Sequence, residues 1–215
     1  MSVHEGFAVV RGSNLVFSAP HEMPQFRDGE EKIAEAGTAA LAATLAAHTG
    51  GSAIWTHGTQ AGDPNWDDPH PYASCLLGLA ADGSCVDLHI MRPRGFEVCI
   101  GLGLDHRLNR AVWEPLLDEL LDADVRVSLN WPFGARGRTL TTRAQAAGIA
   151  AVQIEMTPDV FDPSSNEHTC VVSALLRAAT RWQALVAAPH AVPLPRDQVM
   201  TSTWPVSAGA EQYPL

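Results

Sequence analysis

The sequence predicts an α/β fold: one domain in which a mostly parallel, open sheet carries helices on both faces. Two observations lead to this prediction. Short apolar runs alternate with Ala-rich or amphipathic helical stretches along the chain, which is the pattern of parallel strands joined by crossover helices. The length of 215 residues, with 46% hydrophobic and 18% charged residues, fits one large hydrophobic core.

Seven short apolar runs are predicted to be strands. They are rich in Val, Ile, Leu and Phe, and Gly, Pro, Asn, Asp or Ser residues lie beside most of them, as is typical of strands that end in turns. Helical stretches separate several of these runs, so we expect parallel neighbours in the sheet. The predicted strands cover residues 7–10, 15–18, 53–56, 85–89, 98–100, 125–129 and 151–155.

Four helices are predicted, at residues 30–48, 72–79, 110–122 and 167–188. The first is rich in Ala, has Ile33, Leu41 and Leu45 at helical spacing, and is followed by two glycines that end it. From residue 189 onward the composition turns to proline and polar residues. We therefore place the domain at residues 1–190 and a Pro-rich C-terminal tail at residues 191–215.

The charge of the chain limits its partners. Lys and Arg number 14 against 24 Asp and Glu, a net charge of −10, so a nucleic acid or an anionic membrane is not expected to bind. No apolar run approaches the roughly 18 residues that a membrane span needs, and the first residues lack the basic start of a signal peptide. The four cysteines form no C-x-x-C pair, which indicates reduced thiols. We expect a cytoplasmic protein that acts on a small molecule or peptide.

Chemically capable side chains follow the predicted strands at the points where the strands end. His21 follows the strand at 15–18, the segment 63–66 follows the strand at 53–56, and His89 and Glu155 end two further strands. In an open α/β sheet, ligands bind outside the carboxyl ends of the strands. These segments are therefore predicted to deliver their side chains to one edge of the sheet.

The two histidines are predicted to be metal ligands. His21 and His89, with one carboxylate from the helix predicted to follow His21, would supply the N/N/O ligand set of a catalytic zinc ion. Acids in a first helical turn are also favoured by the helix dipole alone. Glu30 and Glu35 would lie about 140° apart on a helix, so only one of them can face the histidines. The candidate carboxylates are Asp28, Glu30, Glu31 and Glu35.

Glu155 is a lone acid at the end of an apolar strand. A carboxylate there either caps the strand or lies in a partly dry cleft, where burial raises its pKa toward the working pH. Beside two metal-binding histidines, it is predicted to be the general base.

Other sites are weaker predictions. The run from Ile100 to His106 lacks the third glycine of a dinucleotide fingerprint, and no G-x-S-x-G motif is present. Acids and a histidine between Asp63 and His70 could hold a second metal, but a Pro- and Asp-rich loop is usually solvated. Nucleophilic catalysis is therefore the weaker hypothesis.

Six short segments, in this order, resemble the N-formylglutamate amidohydrolase family, a branch of the zinc-carboxypeptidase-like metallohydrolases. The resemblance implies a phosphorylase/hydrolase-like fold and zinc-dependent cleavage of an amide (C–N) bond. It implies that His21 and His89 bind Zn²⁺ with Glu35 as third ligand, and that Glu155 acts on the attacking water. The segments are Ser18-Ala-Pro-His21, Glu35-Ala-Gly-Thr38, Asp63-Pro-Asn65, Val86-Asp-Leu-His89, Asn130-Trp-Pro-Phe133 and Val152-Gln-Ile-Glu155.

The chain departs from the family pattern at two positions. Glu35 stands where an Asp is usual, and Trp66 follows Asn65 where the family has an arginine that binds a substrate carboxylate. An indole cannot pair with a carboxylate. We therefore expect a bulkier or less acidic substrate than formylglutamate, in contact with Asn65 and Trp66. Arg138 or Arg143 could replace the missing arginine.

Two other functions are compatible with the sequence. One is a non-catalytic binding protein that keeps the fold and has lost the metal, and the other is a zinc hydrolase that cleaves an ester or another non-peptide bond. Metal content separates the first of these from a zinc-dependent amide hydrolase.

Overall fold

The computed structural model of the chain describes residues 1–60 and 62–187, and the predicted tail at residues 191–215 lies outside them. In this part of the chain the strands, in chain order, are β1 Ser2–His4, β2 Phe7–Val10, β3 Leu15–Ala19, β4 Gln25–Arg27, β5 Glu30–Lys32, β6 Ser52–Thr56, β7 Ser84–Ile90, β8 Val98–Gly101, β9 Val127–Leu129 and β10 Ala150–Met156. Eight of them form one mixed sheet in the order β1-β2-β6-β3-β7-β10-β8-β9, and β4 and β5 form a separate hairpin.

The centre of the sheet is parallel. Strands β6, β3, β7 and β10 are parallel neighbours, β9 is parallel to β8, and antiparallel pairs join β8 to β10, β2 to β6 and β1 to β2. The prediction of a mostly parallel, open sheet is confirmed. Each predicted strand is present with small differences at its ends, and β1 and the hairpin are additions.

Helices cover both faces of the sheet, as predicted. They are α1 Thr38–Thr49, α2 Pro71–Leu79, α3 Arg110–Asp122, α4 Leu140–Ala146 and α5 Asn166–Ala187, with a 3₁₀ turn at Pro158–Phe161. Alternate residues of the strands point to opposite faces, so Phe17 and Val86 pack with α1, α3 and α5, whereas Val16 and Cys85 pack with α2 and α4. None of the described helices has the length and apolar character that crossing a bilayer requires.

The predicted start of the first helix is wrong. The helix begins at Thr38, not at residue 30, because the backbone of Asp28 (φ 53°) and Gly29 (φ 82°) turns the chain into the β4–β5 hairpin. Gly37, with φ 100°, then precedes the first helical residue. Ile33, which has helical spacing with Leu41 and Leu45 in the sequence, lies outside the helix and is 83% exposed.

The chain reverses its direction of travel across the sheet after β6, which makes the boundary between β3 and β7 the switch point of the fold. It passes from β3 through α1 to β6 on one side, and from β6 through α2 to β7 on the other side. Since α1 and α2 cover opposite faces, a crevice opens between the carboxyl ends of β3 and β7. Ligands bind at such switch points in open α/β sheets.

Candidate metal centre and its cavity

Two histidines meet at the switch point. His21 lies two residues after the end of β3, and His89 lies near the end of the adjacent strand β7. Their ring centroids are 4.9 Å apart, with the ring planes at 65°. Both side chains are almost fully buried. The structure thus brings together the two residues that the sequence placed at strand ends.

Glu35 bridges the two rings. One of its carboxylate oxygens lies 3.0 Å from Nδ1 of His21 and the other 3.1 Å from Nδ1 of His89. The second oxygen also accepts a hydrogen bond from the backbone N–H of Ile90 (3.0 Å). Hydrogen bonds also hold the loop that carries Glu35. The backbone N–H of Glu35 donates to the carbonyl of His21 (2.7 Å). The Glu22 carboxylate accepts two backbone N–H groups at the start of α1.

A buried aspartate orients each histidine from behind. Nε2 of His21 lies 3.0 Å from Asp63, and Nε2 of His89 lies 3.0 Å from Asp87. A carboxylate on the far nitrogen is the usual support of a metal-binding histidine, since it fixes the ring and its tautomer. We did not predict these roles. The signal for Asp87 was present, because residues two apart on a strand share a face.

The charges of this cluster support one another. Burial lowers the pKa of His21, but its hydrogen bonds to Asp63 and Glu35 outweigh this and raise it to about 9. The pKa of His89 is also raised, since Asp87 and Glu35 outweigh burial. Conversely, burial opposes ionisation of Glu35, but the two histidines hold its pKa below the ordinary value. Without a metal, the three groups therefore form a network of ion pairs.

The donor set fits a zinc ion. One ligand atom from each of His21, Glu35 and His89 can be chosen so that all three lie within 4.8 Å of one another, and two imidazoles with one carboxylate are a common zinc set. Within the described ranges this is the one group of His, Cys, Asp or Glu side chains that converges so closely.

The residues considered for a second metal have structural contacts instead. Asp63 contacts His21 and Arg27, and the Asp67 carboxylate accepts the backbone N–H of Asp63. His70 caps α2 through Nδ1, which accepts from the N–H of Tyr72.

Glu155 lies beside His89. The two residues are register partners on the parallel strands β10 and β7, and the Glu155 side chain lines the same cavity as both histidines. Burial raises the pKa of Glu155. One carboxylate oxygen accepts a hydrogen bond from Nε2 of Gln153 (2.6 Å). Gln153, whose role the sequence did not reveal, therefore leaves the other oxygen of Glu155 available for proton transfer.

A cavity of about 680 Å³ opens above these residues. Asn65 and Trp66 line it together with the histidines, Glu35 and Glu155. Six of the 14 basic residues of the chain stand in its wall. This concentration of positive charge argues against the expectation of a less acidic substrate. The six are Arg27, Lys32, Arg92, Arg94, Arg136 and Arg138.

The Trp66 ring makes cation–π contacts with two arginines. The guanidinium carbons of Arg27 and Arg138 lie 5.0 Å and 5.4 Å from the centroid of its ring, within the range of cation–π contacts. The indole N–H donates to Asp28 (3.3 Å). Trp66, which stands in place of the family's arginine, thus packs against two arginines from other parts of the chain. Arg27 ends β4, before the helix predicted at residues 30–48, and no feature of the sequence indicates that its side chain reaches this cavity.

Asn65 and Arg143 hold the loop between β6 and α2. The Asn65 amide accepts the N–H of Leu140 (2.7 Å) and its Nδ2 lies 3.1 Å from His89. Arg143 donates to the carbonyls of Pro64 and Asp67 and does not line the cavity. The structure therefore brings Arg138, but not Arg143, to the predicted substrate site.

No protein-family model matches the chain, and no curated protein matches its sequence significantly. Solved structures do match. A bacteriophage poly-γ-glutamate hydrolase has a TM-score of 0.58 and 17% identity, over 86% of this chain and 93% of that chain. The N-formylglutamate amidohydrolase of Ralstonia eutropha JMP134 has a TM-score of 0.57 and 12% identity, over 84% and 98%. The apo N-acetylmuramyl-L-alanine amidase Ami1 of Mycobacterium abscessus has a TM-score of 0.52 and 12% identity, over 80% of this chain and 99% of that chain.

The chain has the N-formylglutamate amidohydrolase fold. The resemblance read from six short segments is thus confirmed at the level of the fold. All three proteins are named as hydrolases or amidases.

The choice between Glu35 and Glu30 no longer depends on helix rotation, because neither residue is helical. Glu35 bridges the histidines, whereas Glu30 is exposed on β5 and pairs with Lys32. We expect Glu35→Gln to weaken zinc binding by more than the roughly 10–100-fold that changes around a ligand cost. The matched Glu30→Gln variant should bind like the wild type. Chelator competition measures both, and the opposite order would make Glu30 the ligand.

Proposed function

We propose that this chain is a zinc-dependent hydrolase that cleaves an amide bond of a carboxylate-bearing small molecule or peptide. His21, Glu35 and His89 would hold the ion. The observation that carries the proposal is the meeting of two aspartate-oriented imidazoles at one carboxylate, in the floor of a cavity with a basic wall. The names of the structures with this fold support the amide bond as the target.

A zinc ion held by His21, Glu35 and His89 would supply Lewis acidity, which would acidify a water molecule and polarise the carbonyl of the substrate. The protein's own residues handle the proton. Glu155 accepts it at the oxygen that Gln153 leaves free and returns it to the nitrogen of the leaving group. Because burial raises the pKa of Glu155 above that of an exposed glutamate, its carboxylate is a stronger base than a solvated one.

The wall selects the substrate by charge. Arginine binds carboxylates through paired N–H donors, and such charge-assisted bonds are stronger than neutral ones. Arg27 and Arg138 are held over Trp66 at the cavity surface. A substrate carboxylate that leaves water for this wall therefore finds cationic partners, although the family's own arginine is absent.

A substrate series tests this function. We expect N-formylglutamate and a γ-linked glutamate dimer to be cleaved with kcat/KM about 10–100-fold above that of the same compounds with their carboxylates amidated, since a hydrogen bond to a charged group contributes about 1.5–3 kcal/mol. Bound zinc, measured on the same preparation, should be near one per chain.

Other results would point elsewhere. Equal or better cleavage of the amidated compounds would overturn the role of the basic wall and restore the less acidic substrate predicted from Trp66. Bound zinc with turnover of esters alone would favour the hydrolase of non-peptide bonds. Absence of both zinc and turnover would favour the binding protein.

A further inference from the structure

We propose that Arg27 is a positioning residue of the metal centre, which acts on His21 through Asp63 and so sets the affinity for the metal. The inference rests on the proposed function, since it concerns the same metal site. The inference goes beyond the proposed function because Arg27 touches none of the three ligands and belongs to the β4–β5 hairpin in the wall of the cavity.

Two consecutive contacts join Arg27 to the ligand. Its Nε and Nη2 lie 2.8 Å and 2.6 Å from the same oxygen of Asp63. The other oxygen of Asp63 lies 3.0 Å from Nε2 of His21 and also accepts the backbone N–H of Asn65 (2.8 Å). Both oxygens are thus occupied, and the orientation of the carboxylate, which fixes the His21 ring, depends on the guanidinium.

The two histidines are supported differently. Behind His89, Asp87 accepts a hydrogen bond from the hydroxyl of Ser18 (2.7 Å), a neutral donor that in turn lies 3.0 Å from the hydroxyl of Tyr72. Behind His21, Asp63 pairs instead with a cation, the guanidinium of Arg27. The Asp63 side chain has no exposed surface, and a buried carboxylate that loses its charged partner is strongly destabilised in that position. The carboxylate behind His21 therefore depends on a charged partner, whereas the carboxylate behind His89 is held by a neutral hydroxyl.

Trp66 holds Arg27 in this position. Its ring lies 5.0 Å below the guanidinium carbon, and its N–H donates to Asp28, the residue after Arg27. The hairpin and the loop at residues 63–66 are thus joined by an ion pair, a cation–π contact and a hydrogen bond. The side chain of Arg27 is nevertheless 30% exposed and lies outside both hydrophobic clusters, so its replacement is expected to leave the fold intact.

Zinc affinity of four proteins tests the inference: wild type, Arg27→Met, Arg27→Lys and Arg94→Met. Arg94 is the matched control, because it stands in the same wall over the ring of Phe133 (5.6 Å) and contacts none of the residues around the metal. We expect Arg27→Met to weaken zinc binding about 10–100-fold, the range for residues that orient ligands. The zinc affinity of Arg27→Lys should lie between those of the wild type and Arg27→Met, since lysine keeps the charge but lacks the paired donors. Arg94→Met should bind zinc like the wild type.

A second measurement separates positioning from general damage. The visible absorption of bound Co²⁺ reports the arrangement of the ligands, so its bands should change in Arg27→Met and not in Arg94→Met, while the circular-dichroism spectra of both metal-free variants match that of the wild type. If Arg27→Met does not fold, Arg27→Lys carries the test. Equal zinc affinities in the Arg27 and Arg94 variants would overturn this inference alone. A wild type that binds no zinc would overturn both this inference and the proposed function.

Discussion

Replacing His89 with alanine is expected to remove both the bound zinc and amide hydrolysis. The side chain is 2% exposed, with one nitrogen on Glu35 and the other on Asp87. Its loss leaves two ligands, removes one of the two imidazole partners of Glu35, and takes away the imidazole that pairs with the buried Asp87. Zinc affinity should fall by more than about 100-fold, beyond the cost of changes around a ligand, and turnover should reach background. Zinc retained after dialysis and the rate of amide cleavage measure the two effects.

His106→Ala is the matched control for this variant. His106 is exposed on the loop before α3, and the cavity does not include its side chain. The same substitution there should change neither zinc content nor rate. Zinc retained by His89→Ala with unchanged turnover would exclude the metal centre built on this pair.

Replacing Glu155 with glutamine is expected to separate metal binding from hydrolysis. The substitution removes the proton acceptor but leaves His21, Glu35 and His89 untouched, so zinc content and fold should persist. Turnover should fall by at least about 10²-fold, the low end of general-base contributions. Parallel measurement of zinc and of the hydrolysis rate shows whether the two properties separate.

Glu5→Gln, an exposed position in the turn between β1 and β2, serves as the control for this charge-neutral change. It should behave like the wild type in both measurements. Loss of zinc by Glu155→Gln would instead make Glu155 a metal ligand and leave the general base to another group.

The sheet and most of its helices could be predicted because their sequences carry local signals. Apolar runs marked the central strands, and the predicted helix at residues 110–122 agrees with the structure. The hairpin carried no such signal. Strand β5 consists of Glu30, Glu31 and Lys32 and shows no apolar alternation. Because an Ala-rich stretch follows it, the sequence predicted a helix there. The positive φ of Asp28 and Gly29 decides the conformation there.

The histidines of the site were within reach of sequence reasoning because parallel strand ends converge on one edge. Their supports were not. Arg27 and Asp63 are 36 residues apart and meet only through the position of the hairpin against the loop after β6. Trp66 taken alone predicted a loss of positive charge, yet the folded chain surrounds it with arginines from other segments.

The basic wall gives this acidic chain an uneven electric field. Without the residues that line the cavity the sequence has 14 − 6 = 8 basic against 24 − 2 = 22 acidic residues, so the rest of the molecule carries more net negative charge than the −10 of the whole chain. The Debye length is about 8 Å at physiological ionic strength. An extended polyanion that spans the surface therefore meets mostly repulsion, whereas a small anion at the mouth of the cavity senses mainly the arginines. The field thus filters ligands by size as well as by sign.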